Sequence, residues 1–468
     1  MDAPPHAAEG LLPDRPRLAD HVLARLHRVG EETFVVLFDQ RRGVSFQLGM
    51  REWVLLSLAD GTRDLEGIRL AGAREGANAA PAAIASFLGR LDAEEMLAAG
   101  SEPEGRAAPA SPAERPVDAL AGYRFACDGR GVCCRQYATV VFSQLEATRA
   151  RALLPTVERG GDRHEWAFTP RHGSIAIPAC AVKHVDGACA YLDDAGLCRI
   201  HAMGGAHAKP FGCNLFPARF VDDGEAVRVS ALVECACVLR SAGQTAGDGL
   251  VPGEARSRGE LAREVFVEVL PATIALTDAH AVPRDALVAW SRGALELTVA
   301  DVVAWLWTTA DALDRDGALP SPAARCEPVD AAAMLPWLRA LRAVLGRVTV
   351  EARAWRGPGD VALNALEVMG DAIAALCDDA LLGPMLDAGP PQPEAEAFFL
   401  RATAHAHQWV AERPLAVQLR NLAMRLTVAR ALRRFHGAGM LTGEAFEEPV
   451  AIVEAMCRGY GVHADARA

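Results

Sequence analysis

The feature that most constrains this chain is a concentration of cysteine. Of its 12 cysteines, nine fall between Cys127 and Cys237. An even spread would put about three there. The other three, Cys326, Cys377 and Cys457, stand apart in helical patterns and read as small core residues. Thiols gathered in one segment serve as disulfides or as ligands, and the compartment decides which. The opening MDAPPHAAEGLLPDRPRL has no basic stretch followed by an apolar run, so a secretory signal is not expected. No uninterrupted apolar run reaches the roughly 18 residues needed to span a membrane. The nearest candidate, Val302 to Leu313, follows Asp301 and is broken by Asp311. A cytoplasmic chain without membrane association is therefore expected. There thiols stay reduced, and clustered cysteines read as metal ligands or redox groups.

At 468 residues the chain exceeds one ordinary core, so two or three domains are expected. With 51% hydrophobic and 23% charged residues it has the composition of a folded protein rather than a disordered one. Two stretches lack hydrophobic periodicity, residues 101–116 and 241–260, and both read as exposed linkers. They leave three segments: 14–100, 117–240 and 261–468. The expected fold class is α+β, mainly α: an N-terminal winged-helix-like unit, a small irregular cysteine-rich metal domain and a C-terminal helical domain.

In the N-terminal segment, Phe34–Leu37 and Val44–Leu48 are short β-type runs, joined by a polar turn from Asp39 to Gly43. Trp53, Leu55, Leu56 and Leu58 follow as a helical stripe ending at Asp60-Gly61-Thr62, and Thr62 can cap the next helix. Ile84, Phe87, Leu88 and Leu91 mark a third helix. From Asp14 to Gly100 there are 11 Arg against 13 Asp and Glu, a net of −2. A DNA reader needs a basic face, so no nucleic-acid partner is expected. The C-terminal segment repeats apolar residues at helical spacing, as in Leu415, Leu419, Leu422 and Leu426. His405 and His407, two apart on an expected helix, would face different directions and not share a metal.

The middle segment carries the chemistry. Its candidate ligands are Cys127, Cys133, Cys134, Cys189, Cys198, Cys213, Cys235 and Cys237. Thiolates suit zinc and iron–sulfur clusters, and nearby Gly129, Gly131, Gly187, Gly196 and Gly212 let backbone fold closely around a metal. The spacings lack the paired C-x2-C knuckles of a zinc ribbon, which points to iron–sulfur, with zinc the alternative. The adjacent Cys133 and Cys134 would point oppositely if extended, so that they serve two different sites or only one of them is a ligand. Cys180 sits in an apolar strand-like run and is left open as a ligand, while His201 and His207 read as ordinary histidines.

Two resemblances follow from these residues. Gly43-Val44-Ser45-Phe46-Gln47-Leu48, then Glu52-Trp53-Val54-Leu55-Leu56 and Asp60-Gly61-Thr62, resemble the peptide-chaperone (PqqD-like) recognition element of modified-peptide pathways. The resemblance implies a peptide adding a strand to a sheet edge. Cys127 with Cys133-Cys134, Cys189-Ala190-Tyr191-Leu192-Asp193 through Gly196, Cys198 and Ile200, and Lys209-Pro210 through Cys213 to Phe216-Pro217 are similar to the YkgJ-type cysteine-cluster family, described as zinc- or iron-chelating. Within it they resemble the flagellin lysine-N-methylase branch. Departures are Lys209 where the family carries Arg, the wide Cys127–Cys133 gap and the late Cys235-Ala236-Cys237 pair. The resemblance implies an enzyme modifying a peptide or protein substrate, as by lysine N-methylation from S-adenosylmethionine. No Gly-rich loop of the usual kind for that cofactor is present. The alternative is a non-catalytic zinc- or iron-binding accessory protein.

Overall fold

Apolar β-type runs before Trp53 make a sheet, and the stripes after it make helices that pack on it. The computed structural model describes residues 12–19, 21–29, 32–39, 44–61, 63–98, 115–128, 131, 133–136, 141–159, 162–164, 168–171, 179–182, 184–185, 188–205, 208–261, 265, 267–323, 326–355, 360–411, 413–441 and 447–466. The chain is mixed α/β and mainly helical. It divides into two compact units, one of residues 1–107, 138–193 and 199–210, the other of 108–137, 194–198 and 211–468. Two units therefore stand where three domains were expected. Some of the cysteine-rich segment folds with the N-terminal strands, and the rest folds with the C-terminal helices.

In the first unit the strands Val22–Val29, Glu32–Asp39 and Val44–Gly49 form an antiparallel meander, with Val22 opposite Asp39 and Phe34 opposite Gly49. The turn expected from Asp39 to Gly43 lies mostly outside the described residues. Val35, Leu37 and Leu48 share one face and pack on Trp53, Leu56, Ile68, Ile84 and Leu88 of the helices Met50–Leu58, Leu65–Arg74 and Pro81–Ala93. Every buried residue of this core comes from Leu18 to Leu97. Asp64 caps the second helix, accepting from the Gly67 N–H at 2.7 Å. It takes the place expected of Thr62, which lies outside the described residues. The sheet does not end with the N-terminal segment. Val22–Val29 pairs in parallel with His184–Val185, which pairs with Ala188–Cys189, so the order runs from Ala188–Cys189 to the edge strand Val44–Gly49.

In the second unit Val267–Val269, Ala218–Asp222, Val227–Ala231 and Val117–Ala119 form a sheet in that order. The stretch 241–260, expected to be an exposed linker, is tied to it. Phe125 and Asp248 exchange two backbone hydrogen bonds of 2.9 Å, and the Val117 N–H donates to the Arg256 carbonyl at 2.8 Å. Arg115 and Arg258 both pair with the fully buried Asp222. Backbone pairing and ion pairs hold this segment, and neither leaves hydrophobic periodicity to read. The stretch 101–114 lies outside the described residues.

The helix Leu415–Gly437 is buried along its length from Leu415 to Leu432. It carries Arg420, Arg425 and Arg430, and a spacing of five places successive side chains roughly 140° apart around the axis. Each arginine therefore meets a different neighbour. Arg420 pairs with Asp311 at 2.6 Å on the helix Val302–Asp316. Arg425 pairs with Glu454 at 3.2 Å on the helix Pro449–Gly459. Arg430 pairs with Glu396 at 2.7 Å on the helix Pro393–His405 and with Asp301 at 2.8 Å. These pairs fix which helix lies on which side, a register that apolar packing alone leaves loose.

Beside Arg425, burial and then the Arg425 and Arg413 charges push the His463 imidazole down from its ordinary 6.5 to about 3. A base with a depressed folded value binds fewer protons folded than unfolded between those limits. Its contribution is therefore present above pH 6.5 and lost as pH falls towards 3. Urea unfolding between pH 7 and 4 should show stability falling by up to about 1.4 kcal/mol per pH unit, and His463→Gln should flatten some of that slope. A variant with the same slope as the native chain would refute the assignment.

Candidate metal centre

The second unit builds its thiol site from two segments. One is the extended run leading from Tyr123 to Asp128. The other is the end of the hairpin formed by Ala218–Asp222 and Val227–Ala231, which delivers Cys235 as the residue capping the short helix Ala236–Ser241. Val238 and Leu239 anchor that helix in the core. Tyr123, packed on Phe398 with ring centres 5.0 Å apart, donates its hydroxyl to the Val238 carbonyl at 3.2 Å. Ser241 Oγ accepts the Ala126 N–H at 3.0 Å. Gly247 completes the clamp: at φ +120° it lies so close to Phe125 that a Cβ would sit 2.5 Å from the Phe125 carbonyl oxygen. Only glycine fits there without moving the strand that carries Cys127.

The result is a convergence of Cys127, Asp128 and Cys237, whose donor atoms all lie within 4.8 Å of one another. The Cys237 thiol lies 3.1 Å from Asp128 Oδ1. Arg240, one turn along the helix, pairs with the other Asp128 oxygen and reaches to 3.8 Å from the Cys237 sulfur. Cys127 is exposed while Cys235 and Cys237 are buried. Hydrogen bonds donated by Cys127 and then Cys235 hold Cys237 well below the ordinary thiol range. Cys235, the partner that keeps its proton towards Cys237 and is buried, is pushed well above it. Burial, and next the neighbouring Cys235, raise the Tyr123 hydroxyl too.

The remaining expected ligands are distributed as follows. Cys134 lies half-buried in the short helix Cys133–Gln136 of the second unit; the side chain of Cys133 is outside the described residues. Cys198 and Cys213 are half-buried and belong to the second unit. Cys189, buried on the strand Ala188–Cys189, belongs to the first, as does Cys180 on Ala179–Val182, whose side chain is outside the described residues. His201 is exposed on the helix Arg199–Gly204, and His207 is outside the described residues. Among the described residues, the group that comes together is Cys127, Asp128 and Cys237, with Cys235 hydrogen-bonded to it.

Sequence reasoning misses Asp128 and Arg240. Asp128 follows Cys127 directly, and an acid beside a candidate ligand is the signal that could have found it. Arg240 has no such signal, since only the helical turn after Cys237 brings it over the site.

The donor set fits one metal ion. A tetrahedral ion with metal–sulfur bonds of about 2.3 Å and metal–oxygen bonds of about 2.1 Å holds its donors roughly 3.5–3.8 Å apart. A 4.8 Å limit meets that with small side-chain rotations. Thiols must lose their protons to bind, and the Cys237 site already favours the anion.

A second polar cluster lies elsewhere in this unit. His407 Nδ1 is 3.1 Å from Ser291 Oγ, and Nε2 is 3.4 Å from Asp223 Oδ2. All three are buried. Asp223 also accepts the Glu225 and Ala226 N–H groups at 2.9 and 2.7 Å, tying the hairpin turn. Burial opposes ionisation of Asp223, but hydrogen bonds from His407, Ala226 and Arg228 outweigh it and hold the carboxyl below its ordinary range. The cluster fastens the hairpin to the end of the helix Pro393–His405. His407 lies just beyond that helix at φ +48°, not on it as expected, and His405 instead meets the Asp118 carbonyl at 3.0 Å. No helix among the described residues is long and apolar enough to cross a membrane. No family model, curated protein or solved structure matches the chain.

Proposed function

We infer that the chain is a metal-binding protein whose centre is held by Cys127, Asp128 and Cys237, with Cys235 as the fourth donor. The observation that carries this reading is the meeting of three donor atoms within 4.8 Å from segments 109 positions apart at Asp128 and Cys237. Three thiolates and a carboxylate around one position favour a single zinc or iron ion there. An iron–sulfur cluster spreads its thiolates over several irons. It would draw on Cys134, Cys198 and Cys213, which belong to the same unit. The full chain isolated anaerobically should hold stoichiometric metal. Zinc, or iron without acid-labile sulfide, supports the single ion; iron with sulfide and a brown colour supports the cluster. Metal-free protein that takes up neither from solution sinks both.

A second role is capture of an extended peptide or protein segment. Among the described residues the strand Val44–Gly49 is an edge of its sheet, whereas the far side of Val22–Val29 is covered by His184–Val185. Val44-Ser45-Phe46-Gln47-Leu48-Gly49 has neither a charge nor a proline, the residues that ordinarily block edge pairing. Lysine N-methylation of the captured segment rests on the family resemblance alone. Hydrogen exchange on the full chain with a library of short extended peptides should show protection centred on residues 44–49. Salt-sensitive binding of duplex DNA with no peptide response would refute this role.

A further inference from the structure

The site described above has two faces. Cys127 and Asp128 lie at the surface, whereas Cys235 and Cys237 are buried on the core side of the same cluster. A small solute therefore meets the Cys127 sulfur first. The Cys127 and Cys237 sulfurs are within 4.8 Å. A disulfide is about 2.05 Å long, so bonding requires the two sulfurs to close the remaining gap. The backbone on both sides is already clamped, through Ser241 to Ala126 and through Asp248 to Phe125. The Arg240 guanidinium, 3.8 Å from the Cys237 sulfur, stands where it favours the attacking anion.

We propose that Cys127 and Cys237 form a reversible disulfide when the site carries no metal, making the centre a switch read by peroxide. The competition between metal and oxidant rests on the metal reading above; the disulfide itself rests on the geometry of the two sulfurs. In the first step Cys127 gives up its thiol proton and its sulfur attacks one oxygen of hydrogen peroxide; the O–O bond breaks, and the leaving hydroxide takes up that proton as water. Cys127 is now a sulfenic acid, oxidised by two electrons, and the peroxide is reduced. In the second step the Cys237 thiolate attacks the Cys127 sulfur, the S–O bond breaks, and the oxygen leaves as water after taking a proton. One peroxide and two thiols give one disulfide and two waters. The bond removes two donors at once, so the oxidised site cannot hold the metal. A bound metal ties up both sulfurs and slows the first step.

Cys235 is the competing partner for Cys237. Both of those sulfurs are buried, so the oxidant reaches neither before Cys127.

The full chain, stripped with a chelator, is treated with one equivalent of hydrogen peroxide, alkylated and digested for mass spectrometry. The expected product is a peptide pair joined through Cys127 and Cys237, lighter by two hydrogens and separated again by dithiothreitol. Cys127→Ser should abolish it, whereas Cys377→Ser should not. Loading with zinc at ten times its dissociation constant should slow formation by about tenfold. A Cys235–Cys237 link, or none, overturns the proposal even if the protein binds zinc stoichiometrically. Formation of the Cys127–Cys237 link in a protein that takes up neither zinc nor iron sustains the disulfide and removes the metal reading instead.

Discussion

On the proposed metal reading, Cys237→Ser is expected to leave the second unit without metal and to lower its stability by the whole contribution of that metal. The sulfur of Cys237 is the centre of the cluster: Cys127 and Cys235 donate to it, Asp128 lies 3.1 Å away and Arg240 3.8 Å away. Serine keeps the size but exchanges a soft anionic ligand for a hydroxyl that stays protonated. A metal present at a thousand times its dissociation constant stabilises the fold by about 4 kcal/mol. That is the expected loss, read as a drop in the urea midpoint together with metal content near zero. Asp128→Asn should do less, because the exposed carboxylate donor can be replaced by water. Cys377→Ser and Cys326→Ser should change metal content not at all, since burial rather than a neighbouring thiol sets the acidity of both. Equal metal loss in Cys377→Ser would show that the division between ligand and core cysteines is wrong.

Arg430→Ala is the second large effect, expected at about 3–5 kcal/mol. Arg430 is 1% exposed in its side chain, and its bidentate partner Glu396 is 3% exposed. Removing the guanidinium leaves a carboxylate in the core without its cation. Burial already pushes the Glu396 carboxyl up, and Arg430 is what restrains that rise. Without Arg430 the acid would stay protonated to higher pH, so the variant should regain stability as pH is lowered towards about 5. Asp301 loses less, being 29% exposed and able to hydrate. It also keeps its role capping the helix Val302–Asp316, through the Ala304 N–H at 3.0 Å. The double variant Arg430→Met with Glu396→Gln should recover much of the loss, because neither replacement is charged. Chemical denaturation of the three proteins measures this; a single variant within about 1 kcal/mol of the native chain would mean the pair is hydrated, contrary to its burial.

The sequence by itself determined the elements whose signal is local. The apolar β-type run Phe34–Leu37 and the alternation in Val44–Leu48 marked two strands, and stripes such as Leu415, Leu419, Leu422 and Leu426 marked helices, because side chains must be apolar wherever their face is buried. Composition and cysteine density located the segment that holds the candidate centre. Periodicity missed the strand Val22–Val29, whose Arg25, His27 and Arg28 interrupt the β-type pattern. The tertiary structure decided the rest, since what joins distant segments leaves no local period. Backbone pairing to 241–260, a glycine at φ +120° and a serine hydroxyl bring Cys127 to Cys237. A parallel pairing to Val22–Val29 takes His184–Val185 and Cys189 into the N-terminal unit. Sequence density could name eight cysteines as candidates. Among the described residues the fold brings Cys127 and Cys237 together with Asp128 and places Cys235 and Arg240 beside them, at distances of a few ångströms that chain position does not encode.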